Sequence, residues 1–360
     1  MQARKRPALL ITGTVSPYRR ESFRLLARGE GVEVAAFEEA GPPVAGLAVH
    51  RTTQAGAVRL AASGSYRAVI CGLGGRVALP GSYLAARAHG LPFVLWATIW
   101  AHPRTPAHVI SRPAARHLYR QADAVATYGP HVSRHVEEAR GARGNVFVAP
   151  QAVDVEHFGA EVGEDALARV RGILGTGAKK PLMLFVGRLE REKGVESLLE
   201  AWRGGNLGSE ATLVVVGRGP LAEKARTAGP GVRVLGYVPA ADLPPLYRAV
   251  DVLVVPSVRT ATFTEPWGLV VNEAMLQRTP VIASDAVGAV AGGLVEDGRN
   301  GLVYPAGDVP ALTARLHALL AAPELRERLG EAARADAARL TPAAWADGMS
   351  HALHAAEARS

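Results

Sequence analysis

Two cations five residues apart, Arg188 and Lys193, lie in the string FVGRLEREKG. An apolar run precedes the string and a helical pattern follows it, which places it at the carboxyl end of a strand. A glycine-bearing turn with two cations there suits a diphosphate. Gly187 lets the backbone approach, Arg188 grips two oxygens at once, and Lys193 adds a point charge. The plain alternative is a solvated loop, whose charges can be removed without harm to the fold. A second string, TEPWGLVVNEA, sets Glu265 and Glu273 eight residues apart. Pro266 fits the first position of a helix, so Glu265 is expected at the helix mouth and Glu273 two turns inside. Eight helical residues span about 12 Å. That is too far to flank one bond as a hydrolase pair does at roughly 5–9 Å. Both carboxylates therefore read as hydroxyl acceptors for one extended ligand, with the amides near Trp267, Gly268 and Leu269 facing its oxygens. Here the alternatives are a plain capping acid and a solvated helix face.

The elements that must position these residues alternate in type. In the first half, apolar runs at Ala8–Gly13, Val32–Phe37, Ala68–Cys71, Pro92–Thr98, Ala124–Thr127 and Val146–Ala149 read as buried strands. Helical patterns lie between them, including one from Ser16-Pro17 to Arg28, one over Leu79–Gly90 and one opening at Ser111-Arg112-Pro113. In the second half, Leu182–Val186, Thr212–Val216, Val232–Leu235, Val252–Val255 and Val281–Ala283 read as strands, and Gly194–Arg203, Leu221–Ala228, Leu243–Ala249 and Gly268–Gln277 as helices. Short apolar strands that alternate with helices predict parallel sheets covered on both faces. The fold class is α/β: two doubly wound, Rossmann-like domains facing each other across a cleft, with ligands at the carboxyl ends of the strands. The expected division is 1–155, 156–340 and a C-terminal helix over 341–360 that packs back on the first domain.

The 360 residues carry 41 Lys and Arg against 33 Asp and Glu. The excess is uneven. Residues 1–150 hold 19 basic and 8 acidic side chains, and residues 151–360 hold 22 and 25. Such asymmetry suggests a partner of opposite sign for the first half, or a solvated basic surface. Nucleic acid is disfavoured, because the basic residues are not interleaved with aromatics and no binding signature appears. The longest apolar stretch, Leu91 to Ala101, is about half a membrane crossing, and the apolar part of MQARKRPALLITGT is too short for a leader. One cysteine, Cys71, excludes an internal disulfide and fits a reducing cytoplasm. The string CGLGGRV around it has a glycine pair, but Val77 occupies the last position of a dinucleotide fingerprint. The acid pair in Asp154-Val155-Glu156 reads as a turn and cap, so no metal is expected.

Taken together, VGRLEREKG and EPWGLVVNEAM resemble the donor site of the family 4 retaining glycosyltransferases, which have the GT-B fold. VVVGRGP (Val214–Pro220), VLGYV (Val234–Val238), LYRAVDVLVVPS (Leu246–Ser257), EDGRNGLVYPAGD (Glu296–Asp308) and the inter-domain string APQAVD fall in the family's order. The resemblance implies a metal-independent hexosyltransferase with no cofactor beyond its co-substrate, a UDP- or GDP-sugar. Arg188 and Lys193 would hold the diphosphate, Glu265 the donor sugar's hydroxyls and Glu273 the ribose. Gly217, Gly219, Gly236, Tyr237 and Val238 would line the nucleotide. His102, with His108 as the other choice, would stand near the reacting centre. Gly13, Tyr18, Arg19, Arg20 and Tyr128 would lie on the acceptor side, and the single glycine at 13, where many members have two, departs from the family pattern. Further expectations are a role in bacterial envelope glycan or glycolipid assembly, an acidic or lipid-linked acceptor, and a cytoplasmic location with peripheral contact to an anionic membrane. Arg20, Arg24 and Arg28 on one helix edge, and Arg116 and Arg120 on another, are the residues expected to make that contact. A natural-product glycosyltransferase, a nucleotide-sugar epimerase or hydrolase, and a non-catalytic nucleotide-sugar binder are the alternatives.

Overall fold

The computed structural model describes residues 6–102, 105–174 and 180–359. Contacts divide the chain into two units, Met1–Asp154 with Leu340–Ser360, and Val155–Arg339. The first unit is built on seven strands: β1 (Ala8–Thr14), β2 (Val32–Glu39), β3 (Val49–Arg51), β4 (Val69–Gly72), β5 (Phe93–Ala97), β6 (Ala124–Thr127) and β7 (Val146–Val148). They lie parallel in the order β3-β2-β1-β4-β5-β6-β7. Ala8 to Ile11, Val69 to Cys71 and Phe93 to Ala97 are buried without alternation, as expected where helices cover both faces of a sheet. Cys71 is among them, and burial pushes its thiol up to about 12, so it is packing rather than a nucleophile.

The second unit has β8 (Leu182–Val186), β9 (Thr212–Val216), β10 (Val232–Gly236), β11 (Val252–Val255), β12 (Val281–Ser284) and β13 (Gly301–Tyr304). Their parallel order is β10-β9-β8-β11-β12-β13. The chain reverses its direction of winding between β8 and β11 here, and between β1 and β4 in the first unit. Loops leaving the carboxyl ends of two such strands diverge and open a crevice.

The helix Pro342–Glu357 belongs to the first unit and packs on the helix Arg20–Glu30 and on β6 and β7. Thr341 caps it by accepting from the Ala344 N–H at 3.0 Å. Its Trp345 is fully buried, with ring centroids 5.4 Å from Phe23 and 5.5 Å from Trp96. One sequence expectation fails nearby. The helix placed at Ser111 begins at Pro106 and runs to Gln121, with Pro113 inside it. Pro106 supplies the fixed φ of a first turn earlier in the chain, so Ser111 lies inside the helix rather than at its start.

Removing the Trp345 side chain leaves a cavity against two aromatic neighbours. Trp345→Ala should lower unfolding free energy by about 3–5 kcal/mol, read from urea titration followed by near-ultraviolet circular dichroism. An unshifted midpoint would mean that this helix is not docked.

Candidate active site

Two of the second unit's charged candidates, Lys193 and Glu265, meet at the crevice between β8 and β11. The loop Gly187–Gly194 leaves β8 and the segment Pro256–Gly268 leaves β11. Backbone bonds tie them and their neighbours together. Val258 N–H donates to the Glu192 carbonyl at 3.0 Å, Leu189 N–H to Arg218 at 2.8 Å, and Gly217 N–H to Gly236 at 2.7 Å. Two glycines make these approaches possible. A Cβ at Gly194, which has φ +70°, would lie 1.8 Å from the Pro256 carbonyl oxygen. One at Gly217 would lie 1.8 Å from that of Gly187. Any side chain at either position would push the β8 loop off its neighbours.

Across the crevice the Lys193 ammonium donates to the Glu265 carboxylate. Both groups are largely out of water, their side chains 19% and 9% exposed. Ser257 Oγ donates to the same carboxylate oxygen at 3.3 Å, and the Phe263 ring centroid lies 5.2 Å from the lysine nitrogen. Lys193 is therefore not the solvated loop charge that the loop reading allows. Removing it strands a buried carboxylate, which costs several kcal/mol. Arg188, on the same loop, is exposed. It donates to Glu190, and to Glu192 at 3.1 Å.

Glu265 does not stand at a helix mouth. The helix is Leu269–Leu276, and its N-cap is Gly268 with φ +92°. A left-handed residue cannot continue a right-handed helix, so Pro266 and Trp267 lie outside it. Glu265 instead bridges to Val287, and Ala289 N–H donates to the Trp267 carbonyl at 2.8 Å. The Trp267 indole is interior, its N–H spent on Asn272 at 2.7 Å. Leu269 opens the helix, so its N–H belongs to the turn that has no intrahelical acceptor.

Glu273 lies on that helix and accepts from the Tyr247 hydroxyl at 2.6 Å. Burial raises its carboxyl to about 7, against the lowering effects of the Tyr247 bond and of His157 nearby. A carboxyl held near neutrality by desolvation is typical of a functional site. Tyr237 is 62% exposed, and the Arg218 guanidinium lies 5.4 Å from its ring centroid. Gly219 lies on the loop after β9, Gly236 ends β10 and Val238 follows it.

The remaining sequence candidates lie in the first unit. Arg19 is 5% exposed and is committed to the interior. It donates to the Tyr128 hydroxyl, and to Gln151 at 3.1 Å, while its guanidinium covers the Trp96 ring at 4.3 Å. Burial lifts Tyr128 to about 12. Tyr18 and Arg20 flank Arg19, and Tyr18's ring lies 5.1 Å from the same guanidinium. A Cβ at Gly13 would lie 2.8 Å from the Glu38 carboxylate, a neighbour that repels phosphate. Arg24, one of the stripe, is paired with Glu21. His102 has its ring 4.9 Å from that of His135 and 6.1 Å from that of Tyr119. The His108 side chain lies outside the described residues.

Residues 168–336 match the model of the glycosyl transferases group 1. The chain belongs to the group 1 glycosyl transferases. It is 34% identical over 240 residues to a D-inositol 3-phosphate glycosyltransferase of Nocardiopsis dassonvillei, a match over 62% of this chain and 53% of the relative. It is 30% identical over 269 residues to the alpha-D-kanosaminyltransferase of Streptomyces kanamyceticus, over 69% of this chain and 66% of the relative. The chain thus spans between about half and two thirds of these curated relatives. The crystal structure of the Anabaena protein HepE in complex with UDP superposes with a TM-score of 0.77 at 21% identity, covering 97% of this chain and 99% of that one. Sucrose-phosphate synthase from Thermosynechococcus elongatus gives 0.75 at 21%, covering 99% and 100%. This group 1 glycosyl transferase thus has the GT-B fold.

Sequence reading missed Ser257, Phe263 and Tyr247 as partners of the group 1 site. Two of them lie within LYRAVDVLVVPS, whose resemblance to the family was the available signal, but a resemblance does not say which side chain meets which carboxylate.

Two outcomes follow from the burial of these acids. Glu273 binds its proton more tightly folded than unfolded, so stability is higher near pH 5 and falls as pH rises from about 4.5 to about 7. The loss is on the order of 3 kcal/mol. Glu273→Gln should flatten that dependence and raise the melting temperature at pH 8, as read by calorimetry from pH 5 to 8. Lys193→Met should lower the melting temperature by several degrees, and adding Glu265→Gln should restore most of it. Additive losses in the double variant would show that the pair is not coupled.

Proposed function

We propose that the chain transfers a sugar from a UDP- or GDP-sugar to an acceptor hydroxyl, with retention of anomeric configuration and without a metal. The observation that carries this reading is the Lys193–Glu265 pair in the crevice between β8 and β11, with Arg188 on the same loop. A nucleoside diphosphate places its charge against the two cations and frees Glu265 for the sugar's hydroxyls. Glu273 then accepts from the ribose. As the sugar–phosphate bond breaks, negative charge grows on the diphosphate, where fixed cations stabilise it. The acceptor oxygen attacks from the face the diphosphate leaves, and its proton passes to the departing phosphate oxygen. The second unit supplies the donor site. The first unit supplies the acceptor side, through His102 and the loop from Gly13 to Arg20.

The excess of basic residues over positions 1–150 supports an acidic or lipid-linked acceptor. Among the described residues no helix is long and apolar enough to cross a membrane. Peripheral contact with an anionic surface, at the cytoplasmic face and in envelope glycan assembly, is the setting we infer. The similarity to a kanosaminyltransferase supports a second reading, glycosylation of a small natural product.

A panel of UDP-, GDP-, ADP- and dTDP-sugars should raise the melting temperature for one nucleotide above the others. With that donor, Lys193→Met/Glu265→Gln should lose roughly 100-fold or more in turnover, measured as release of nucleoside diphosphate. Donor consumption with no glycosylated product, across acidic, lipid-linked and small-molecule acceptors, would replace transfer with hydrolysis or epimerisation. No shift from any donor would remove the reading.

A further inference from the structure

A recess in the first unit has a chemistry that the donor reading leaves unused. It is a cavity of about 180 Å³ between the helices Pro106–Gln121 and Pro130–Arg140, near the segment that leaves β5. Arg112, Arg116 and Tyr119 line it from the first helix, His135 and Glu138 from the second, and His102 from the segment. Two features mark it as a built site rather than a gap in packing. Tyr119 is 1% exposed, and its hydroxyl has no hydrogen-bond partner among the described residues. The buried Nε2 of His135 has none either. A buried hydroxyl or imidazole nitrogen left unpaired is costly, so a group that satisfies both is favoured to enter.

The walls select the sign of that group. Two guanidiniums and two imidazoles face one carboxylate. Guanidinium forks match tetrahedral oxyanions in two-point contacts, and a tyrosine hydroxyl donates one bond more. We propose that this recess binds a phosphoryl group, carried as a monoester on the acceptor. The volume suits one phosphate and its first bridging atoms rather than a nucleotide or a whole sugar. That the phosphate arrives on the acceptor rests on the function proposed above; that the recess binds phosphate does not.

Burial holds the His135 imidazole below its usual range. The Arg112 charge acts in the same direction and Glu138 opposes it. His135 is therefore held neutral near pH 7, and its Nε2 can gain a proton when an anion arrives. Among the described lining residues, Glu138 is the one group that repels a phosphate, so it limits affinity.

The test is nitrogen-15 spectroscopy of the histidine rings with inorganic phosphate and, separately, methyl phosphate, at constant ionic strength against chloride. Both phosphates should shift the His135 ring signals and move its titration to higher pH. Arg112→Ala/Arg116→Ala should weaken the response at least tenfold, and Glu138→Gln should strengthen it. Tyr119→Phe preserves the packing and should weaken it several-fold. Stronger binding of methyl phosphate than of inorganic phosphate would support an ester-borne group; the reverse would overturn the acceptor assignment. An equal response to chloride, or an unchanged response in the arginine double variant, would overturn the site. Nucleoside diphosphate binding, measured on the same variants, should be unchanged. If wild-type protein binds phosphate in the recess but no nucleoside diphosphate, the proposed function fails and the recess stands.

Discussion

A lysine ammonium and a glutamate carboxylate, both largely removed from water, meet where β8 and β11 part. Opposite charges in such a place are costly unless each finds its partner. Much of the surrounding structure serves that meeting. The β8 loop must lie against the end of β11, which only glycine at 194 permits. Glu265 must reach back from beyond β11, so its segment bridges to Val287 rather than entering the helix. Ser257 sits at the end of β11, with its hydroxyl on the carboxylate and its carbonyl accepting from Ser284. The loops after β8, β11 and β12 are thus held by one small polar network, and the parallel order of the sheet places all three at the same edge.

The frame was legible in the sequence for a simple reason. A strand covered on both faces reads as an unbroken apolar run, and β6, β8, β9 and β11 coincide with the expected ranges. What escaped is what lacks such a run. β3 (VHR) has two polar residues of three. β13 opens on a glycine, which reads as a turn in isolation. The helix Pro130–Arg140 begins at the proline of a Tyr-Gly-Pro string that looks like a loop, and its polar, histidine-rich face hides the buried Val132 and Val136. Local signals were also read one turn off. Pro266 and Ser111-Arg112-Pro113 both look like helix starts, but a left-handed glycine in one case and an earlier proline in the other moved the boundary.

In the site, residue types were readable and pairings were not. Spacing separates Arg188, Lys193, Glu265 and Glu273 from the bulk of the charge because glycines and apolar runs frame them. It cannot show that Lys193 is sheltered while Arg188 is exposed, nor that Tyr247 reaches Glu273 from twenty-six residues away. Arg19 is the clearest case. A basic string in the first loop suggests a ligand-facing cation, yet the middle arginine stacks on Trp96 and bonds Tyr128 and Gln151. Three-dimensional partners decide whether an arginine is a hand or a rivet, and those partners lie in segments far apart in the chain.

The pairings also bear on selectivity. The two candidate cations of the β8 loop are already occupied: Arg188 by Glu190 and Glu192, Lys193 by Glu265. A ligand therefore gains from this loop only if it replaces those partners, and a single weak anion gains little by the exchange. A diphosphate carries enough charge to take both cations. Glu265 would then lose its counter-ion and need new donors, which the hydroxyls of a sugar on that diphosphate supply. The same exchange penalises a bare diphosphate, because it takes the counter-ion from a sheltered carboxylate. Under the proposed function, the resting ion pairs make anionic carrier and hydroxylated cargo mutually dependent, so the site favours the intact donor over either part alone.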